Sequence, residues 1–106
     1  MQRYGQIIKV KPEKLEYYKQ LHANPWPCVL NKLKECNINN YSIFLTPNNL
    51  LFAYFEYVGN DFKADMKKMQ EDDCTIKWWK ETDPCQESID EENPGWLDLE
   101  EVFHLD

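Results

Sequence analysis

An α+β fold, in which helices cover one face of an antiparallel sheet, is predicted by three features of the sequence. Residues 4–10 alternate between apolar and polar or small side chains, which is typical of a strand. Two segments rich in aromatic and apolar residues, 41–45 and 50–58, are joined by a four-residue turn, which favours an antiparallel hairpin. Apolar residues at helical spacing precede and follow this hairpin, so helices and strands are interspersed as in α+β proteins.

The length and composition indicate one domain spanning residues 1–106. The chain is 42% hydrophobic and contains four Trp, six Tyr and five Phe, which is too apolar for a disordered protein. Its formal charge of −7 repels phosphate backbones and anionic headgroups. We therefore expect neither nucleic acid nor membranes as partners, whereas a neutral small molecule is compatible with this charge.

The cysteines and histidines lack the spacing of a metal site. No C-x-x-C pair occurs and only two histidines are present, so no metal and no other cofactor is expected. The N-terminal residues show no secretion signal, and no window approaches the roughly 18–20 apolar residues that cross a bilayer. These features predict a cytoplasmic chain whose thiols, Cys28, Cys36, Cys74 and Cys85, are reduced and mostly buried.

The chain before the hairpin is expected to form two helices. Pro12 suits the first position of a helix that extends to about His22. The two prolines within residues 24–27 interrupt the backbone hydrogen bonding, and a second helix then extends to about residue 37. The asparagines at residues 39–40 are predicted to form the turn into the next strand.

The chain after the hairpin is expected to contain a helix, a loop and a last strand. The helix covers residues 61–70, with a short helical continuation at 75–80. The acidic, proline-containing residues 82–94 predict a loop, and residues 100–105 predict a strand. This order of elements is typical of the ferredoxin-like arrangement.

One face of the predicted sheet has no element of this chain to cover it. Phe52, Tyr54 and Trp78 suggest an aromatic surface that is too large to leave in water. A second copy packed sheet against sheet, or a ligand cavity on that face, would cover it.

The first candidate site residues are Tyr18 and His22. Their i, i+4 spacing places both side chains on one face of the first helix. His22 can donate and accept a proton near neutral pH, and Tyr18 supplies an uncharged hydroxyl. The spacing alone fits a structural histidine as well as a catalytic one.

Aromatic residues from other elements complete a candidate binding site. Adjacent Trp78 and Trp79 point in different directions, so one of them is expected to face a ligand or a partner rather than the core. Tyr41 begins a strand, and Glu56 lies in the next strand of the hairpin. Indole and phenol rings that cover C–H bonds, with hydroxyls and a carboxylate that bind oxygens, suit a neutral sugar. Core packing of these aromatics is the alternative.

Six short motifs follow one another along nearly the whole chain. They are Val10-x-Pro12, Tyr18-x-x-x-His22-x-x-x-Trp26-Pro27, Asn40-Tyr41-x-Ile43-x-Leu45, Leu50-Leu51-Phe52-Ala53 with Glu56, Trp78-Trp79, and Glu101-Val102-Phe103-x-Leu105. In this order and at these separations they resemble the L-rhamnose mutarotase family. The resemblance implies a ferredoxin-like fold that pairs into a dimeric α/β barrel.

The resemblance also implies an activity and roles for individual residues. The activity is interconversion of the α and β anomers of a 6-deoxy hexose, for which L-rhamnose is the first candidate. His22 matches the family's proton donor, and the matching sugar-contacting residues are Tyr18, Tyr41, Trp78 and Trp79. We expect His22 to protonate the ring oxygen, and Glu56 or a water to assist at the anomeric hydroxyl.

The sequence departs from the family at three places. Cys28 stands where glutamate is common, His104 stands where tyrosine is common, and the acidic residues 86–95 have no counterpart in shorter members. Three alternative functions stay open: an L-fucose mutarotase, a cofactor-free monooxygenase of the dimeric α/β-barrel kind, and a non-catalytic sugar-binding module.

Overall fold

The computed structural model describes residues 1–106, which form five strands and four α-helices. The strands are β1 (Gln2–Val10), β2 (Ile38–Leu45), β3 (Leu50–Tyr57), β4 (Gln86–Glu87) and β5 (Leu97–Leu99). The helices are α1 (Leu15–Ala23), α2 (Pro27–Glu35), α3 (Phe62–Glu71) and α4 (Asp73–Thr82), with 3₁₀ turns at Pro12–Lys14 and Asp83–Cys85. None of these helices has the length and apolar character needed to cross a bilayer.

The strands form a single antiparallel sheet in the order β2-β3-β1-β4, and β5 pairs with β1 beside β4. Its inner face carries two groups of buried residues that pack against the helices. One group joins β1 and β3 to Tyr18 of α1, and the other joins β2 and β3 to side chains of α2 and α3. The predicted α+β, ferredoxin-like class with helices on one face is therefore confirmed.

Local signals set the helix boundaries. Pro12 and Pro27 occupy first-turn positions, where a missing backbone N–H leaves no hydrogen bond unmade. Asp61 accepts a hydrogen bond from the Ala64 N–H at the start of α3, at 3.1 Å. Asp72 has extended backbone and caps α4, so the helical piece predicted as a continuation is a separate helix.

The asparagines expected to form a turn instead lie inside β2, and that expectation is wrong. The pairing of β2 with β3 shifts by one residue between Asn39 and Ser42, which is a β-bulge. Asn40 lies at the bulge with φ of 50°, a left-handed conformation that asparagine tolerates better than most residues. Because the extra residue inverts the alternation of side chains, Tyr41 and Ile43 join Ile38 on the inner face.

The last strand is shorter and earlier than the sequence predicts. β5 covers Leu97–Leu99, and the strand expected at residues 100–105 does not form. The alternating apolar residues there indicate a capacity to form a strand, but no backbone partner pairs with them in this chain. Val102 and Phe103 are accordingly exposed, at 87% and 78%. The predicted loop at 82–94 contains a 3₁₀ turn and the two-residue strand β4.

The aromatic residues expected on the uncovered sheet face are divided between the two faces. Phe52 and Tyr54 alternate with buried Leu51, Ala53 and Phe55, so they lie on the outer face as expected. Trp78 belongs to α4 and is buried, with 7% of its surface exposed. Its placement on the outer face was therefore wrong, because the helix turns it toward the sheet's inner face.

The four cysteines are not all free thiols, which corrects a further expectation. Cys28 in the first turn of α2 and Cys74 in the first turn of α4 form a disulfide, with their Cα atoms 6.2 Å apart. Cys36 and Cys85 are free and buried. Spacing in sequence could not reveal this pair, because 46 residues separate its members and only the packing of α2 on α4 brings them together.

Reduction of this disulfide is expected to lower the free energy of unfolding by about 2–4 kcal/mol, the usual effect of opening a cross-link. Denaturant unfolding with and without dithiothreitol measures the difference. The Cys28→Ser/Cys74→Ser double variant is the control, because it should resemble the reduced chain and ignore the reductant. Identical unfolding midpoints for the oxidised and reduced wild type would contradict the expectation.

Candidate active site

A cavity of about 670 Å³ lies between the inner face of the sheet and the helices. This volume falls in the range of small-molecule sites, roughly 300–1,000 Å³. Its walls are mostly apolar and aromatic, and no lysine or arginine lines it. The arrangement suits an uncharged ligand that has both apolar and hydroxyl surface.

His22 lies on this cavity near the end of α1, and its orientation is fixed by its own helix. Its Nδ1 is 2.8 Å from the backbone carbonyl oxygen of Tyr18. Because a carbonyl oxygen only accepts hydrogen bonds, Nδ1 carries the proton and Nε2 is left to exchange a proton with a ligand. Burial lowers the pKa of His22 below its usual 6.5, and the bond to the Tyr18 carbonyl partly offsets this effect.

Aromatic rings hold the imidazole on two sides. The Tyr18 ring stacks on it with centroids 4.2 Å apart, and the Trp78 indole contacts it edge to face at 5.3 Å. Trp26 contacts Trp78 edge to face, with ring centroids 5.1 Å apart. These contacts restrict the imidazole to one position, which favours directed proton transfer over free rotation.

The two tyrosines on the cavity are uncharged near neutral pH. Burial raises the pKa of Tyr18 well above its usual value. Burial of the Tyr41 hydroxyl raises its pKa to about 12, although 41% of the residue's surface is exposed. The Gln86 side-chain amide donates to the Tyr18 hydroxyl at 3.5 Å, which leaves the hydroxyl proton available to a ligand. Both hydroxyls can therefore donate hydrogen bonds near neutral pH.

The structure brings five of the six predicted site residues to one cavity. His22, Tyr18 and Tyr41 line it, and both Trp78 and Trp79 do so as well. Both indoles of α4 therefore border the cavity, and contact of either one with a ligand stays a prediction.

The sixth residue, Glu56, is not brought to this cavity. Side chains alternate along β3, and Glu56 lies between inward-facing Phe55 and Tyr57 and therefore projects from the outer face. There its carboxylate accepts hydrogen bonds from the Asn40 amide at 2.6 Å and the Tyr54 hydroxyl at 2.7 Å. These two bonds hold the pKa of Glu56 below its usual value. Glu56 thus stabilises Asn40 in the β-bulge, and this bulge places Tyr41 on the inner face.

Replacing Asn40 by valine is expected to disturb the Tyr41 wall of the cavity. A β-branched residue is disfavoured at positive φ, at a cost of order 1–3 kcal/mol, and it cannot bond to Glu56. We expect a lower unfolding midpoint and weaker ligand binding. Asn40→Gly is the matched control because glycine accepts this conformation freely. Glycine also loses the bond to Glu56, so equal midpoints for the two variants would show that positive φ at residue 40 costs valine nothing.

Four residues on the cavity, three of them polar, were not singled out from the sequence. Gln6 comes from the inner face of β1, Gln86 from β4, and Asp83 from the 3₁₀ turn after α4, while Trp96 lies just before β5. Asp83 is the only carboxylate on the cavity. The sequence contained a signal for two of them. Asp83 follows Trp79 by four residues, and Trp96 is the only aromatic residue between Trp79 and Phe103. No group of three or more His, Cys, Asp or Glu side chains is arranged to hold a metal ion.

Comparison with known proteins gives consistent matches over the full chain. A family model described as L-rhamnose mutarotase matches residues 3–105. The L-rhamnose mutarotases of Lactiplantibacillus plantarum and Bacillus subtilis are 37% and 36% identical over 106 and 107 residues, and each alignment covers 100% of both chains. The crystal structure of an L-rhamnose mutarotase from Formosa agariphila matches with a TM-score of 0.80 at 25% identity, covering 100% of both chains.

A more distant structure shares the fold alone. Tetracenomycin F2 cyclase of Streptomyces glaucescens matches with a TM-score of 0.73 at 11% identity, covering 100% of this chain and 98% of the cyclase. The fold therefore does not decide the activity.

The full-length matches place the chain among the isomerases that act on carbohydrates. The chain belongs to the L-rhamnose mutarotase family, which confirms the resemblance identified from the six sequence motifs.

Proposed function

We propose that this chain interconverts the α and β anomers of L-rhamnose, and that residues 1–106 act as one domain in doing so. The proposal rests on His22, which contacts Tyr18 and Trp78 on an aromatic cavity that no lysine or arginine lines. The apolar wall suits the methyl group and the C–H bonds of a 6-deoxy sugar. The family membership supports the choice of sugar.

The mechanism requires one proton to reach the ring oxygen while another leaves the anomeric hydroxyl. In this proposal the imidazolium of His22 donates from Nε2 to the ring oxygen, the bond from C1 to that oxygen breaks, and the open-chain aldehyde forms. Rotation about the bond between C1 and C2, followed by closure, gives the other anomer and returns the proton to His22. A positioned acid or base of this kind contributes about 10²- to 10⁴-fold.

The tyrosines and tryptophans act as binding groups. Tyr18 and Tyr41 donate hydrogen bonds to sugar hydroxyls, and Trp78 and Trp79 cover the apolar face of the ring. Apolar contact on one side leaves the C1 end free to rotate in the open-chain form. Both features follow from the same cavity.

Saturation-difference NMR on a panel of free sugars tests the proposal. Accelerated transfer of saturation between the anomeric signals is expected for L-rhamnose, with slower or no acceleration for L-fucose and for hexoses with a 6-hydroxyl. A stronger effect on L-fucose would reassign the substrate. Sugar binding without acceleration would identify a binding module, and oxygen consumption with an aromatic substrate would identify a monooxygenase.

A homodimer is part of the same proposal. The outer sheet face exposes apolar side chains that include Phe44, 59% exposed, and Phe44 contacts Phe52 on that face. A second copy packed sheet against sheet would cover them. Sedimentation equilibrium at micromolar concentration should give twice the 12.8 kDa mass of the chain, and a monomer would exclude this arrangement.

A cytoplasmic location is also proposed, on the sequence features alone. The disulfide between Cys28 and Cys74 is the feature that favours an oxidising compartment instead. Cells are quenched in acid, the chain is unfolded in denaturant, and its thiols are then alkylated and counted by mass, because Cys36 and Cys85 are buried in the folded chain. Four alkylated cysteines support the cytoplasm, and two alkylated cysteines contradict it.

A further inference from the structure

We propose that Asp83 is the second proton-transfer group of this cavity, accepting the proton of the anomeric hydroxyl while His22 protonates the ring oxygen. This inference rests on the proposed mutarotase function and assigns the step that the sequence left to Glu56 or to water. Glu56 lies on the other face of the sheet, whereas Asp83 lines the same cavity as His22.

Few side chains on the cavity can accept a proton. Its titratable side chains are His22, Asp83, Tyr18 and Tyr41, and no lysine, arginine or second carboxylate lines it. Burial raises the pKa of both tyrosines, so neither accepts a proton near neutral pH. Asp83 is therefore the one anionic side chain available as a base on the cavity that His22 lines.

The carboxylate of Asp83 is free to act. Other aspartates are engaged in hydrogen bonds within the chain: Asp65 with Tyr57 and Asn37, and Asp72 with the backbone and hydroxyl of Thr75. No hydrogen bond or ion pair within the chain engages the side chain of Asp83, although it lines a cavity. Asp83 is exposed overall, and the partial burial of its carboxyl on the cavity side raises the pKa of this carboxyl above its usual value.

The backbone that carries Asp83 is fixed in place. It begins the 3₁₀ turn after α4, between buried Thr82 and, two residues on, buried Cys85. The Cys85 carbonyl accepts a hydrogen bond from the Lys11 N–H at 2.8 Å, which ties the turn to the end of β1. Asp83 is exposed and also lines the cavity, so it lies where the cavity opens to solvent. A catalytic base needs a backbone that is fixed in this way, so that its carboxylate stays in position toward the substrate.

The proton balance closes without any further reactant. As the anomeric O–H bond breaks, its proton passes to the Asp83 carboxylate and its electron pair forms the aldehyde double bond. The pair of the breaking C1–O bond goes to the ring oxygen, which takes the Nε2 proton of His22. Closure on the opposite face of the aldehyde reverses both transfers, so His22 is again protonated and Asp83 is again ionised.

The Asp83→Asn variant tests this role with an almost unchanged shape. We expect the rate of L-rhamnose anomer exchange at saturation to fall by about 10²-fold or more, with sugar binding by saturation-difference NMR retained. Glu87→Gln is the matched control: it removes the same charge from an exposed residue of β4 that does not line the cavity, and it should exchange anomers like wild type.

The pH profile gives a second readout that a merely structural role would not change. For wild type, kcat/KM should fall at low pH as Asp83 is protonated and at high pH as His22 loses its proton, which gives a bell. The acid limb should lie above 3.8 and the alkaline limb below 6.5, because burial moves the two pKa values in these directions. Asp83→Asn should lose the acid limb and keep the alkaline one.

The Asp83→Ala variant tests the same role by chemical rescue, independently of Asp83→Asn. Added acetate should restore part of its exchange rate if the carboxylate is the base, and should leave Glu87→Gln unaffected. An active wild type with Asp83→Asn of equal rate and unchanged profile would overturn the role of Asp83 and leave the proposed function standing. An inactive wild type would instead remove the proposed function itself, and this inference with it.

Discussion

His22→Ala is expected to fold and to lose most of its acceleration of anomer exchange, by about 10²- to 10⁴-fold. The fold should survive because His22 lies near the end of α1 and is only partly buried, and alanine is a good helix former. The rate should fall because the variant has no imidazole Nε2 from which the ring oxygen can receive a proton. Saturation-transfer NMR on L-rhamnose measures the loss directly.

His104→Ala is the matched control for this variant. It removes the only other histidine, which lies in the exposed C-terminal segment and bonds to Asp106 at 2.7 Å. Its exchange rate should equal that of wild type. A His22→Ala variant that exchanges anomers as fast as His104→Ala would refute the assignment of the proton donor.

Trp78→Ala is expected to have the largest effect on stability. The indole is 7% exposed and joins Trp26 to His22, so its removal leaves a cavity under α4. Loss of a buried tryptophan typically lowers the free energy of unfolding by about 3–5 kcal/mol. Because a whole domain is stable by only about 5–15 kcal/mol, a marked drop in Tm should follow.

Trp79→Ala separates the binding effect from the packing effect. Trp79 lines the same cavity but is only half-buried, so its loss should affect Tm less while still weakening sugar binding. Circular dichroism melts and sugar titrations of both variants provide the comparison. A Tm for Trp78→Ala equal to that of Trp79→Ala would show that α4 does not depend on the buried indole.

Element identity was predictable wherever a local pattern decides it. Alternation in β1, the prolines before α1 and α2, and Asp61 at the start of α3 all act within a few residues. The strand expected at 100–105 does not form, although its local pattern was suitable. A strand also needs a partner from a distant part of the chain, and the sequence does not show where β1 has free hydrogen-bonding positions.

The bulge in β2 shows why part of the site could not be predicted. Asparagine tolerates positive φ in a turn and in a bulge alike, so the pair Asn39-Asn40 does not distinguish the two, and Asn40 has positive φ at the bulge. The distinction decides which face Tyr41 occupies, since one extra residue inverts the alternation. The same alternation, once the register is known, places Glu56 on the outer face.

The remaining site residues depend on contacts between distant segments. Tyr18, His22 and the two tryptophans were recognisable by type and spacing and by family resemblance. Asp83 and Gln86 belonged to a stretch expected to be a loop, and only the packing of the turn after α4 against β1 brings them to the cavity. The disulfide between Cys28 and Cys74 arises from helix packing in the same way.

Polarimetry on one pure anomer of L-rhamnose, freshly dissolved, with and without the chain, tests the proposed activity directly. We expect the optical rotation to reach the same final value faster, with a first-order rate that rises linearly with the concentration of the chain. A time course that matches buffer alone at every concentration of the folded chain would show that the chain is not a mutarotase of L-rhamnose.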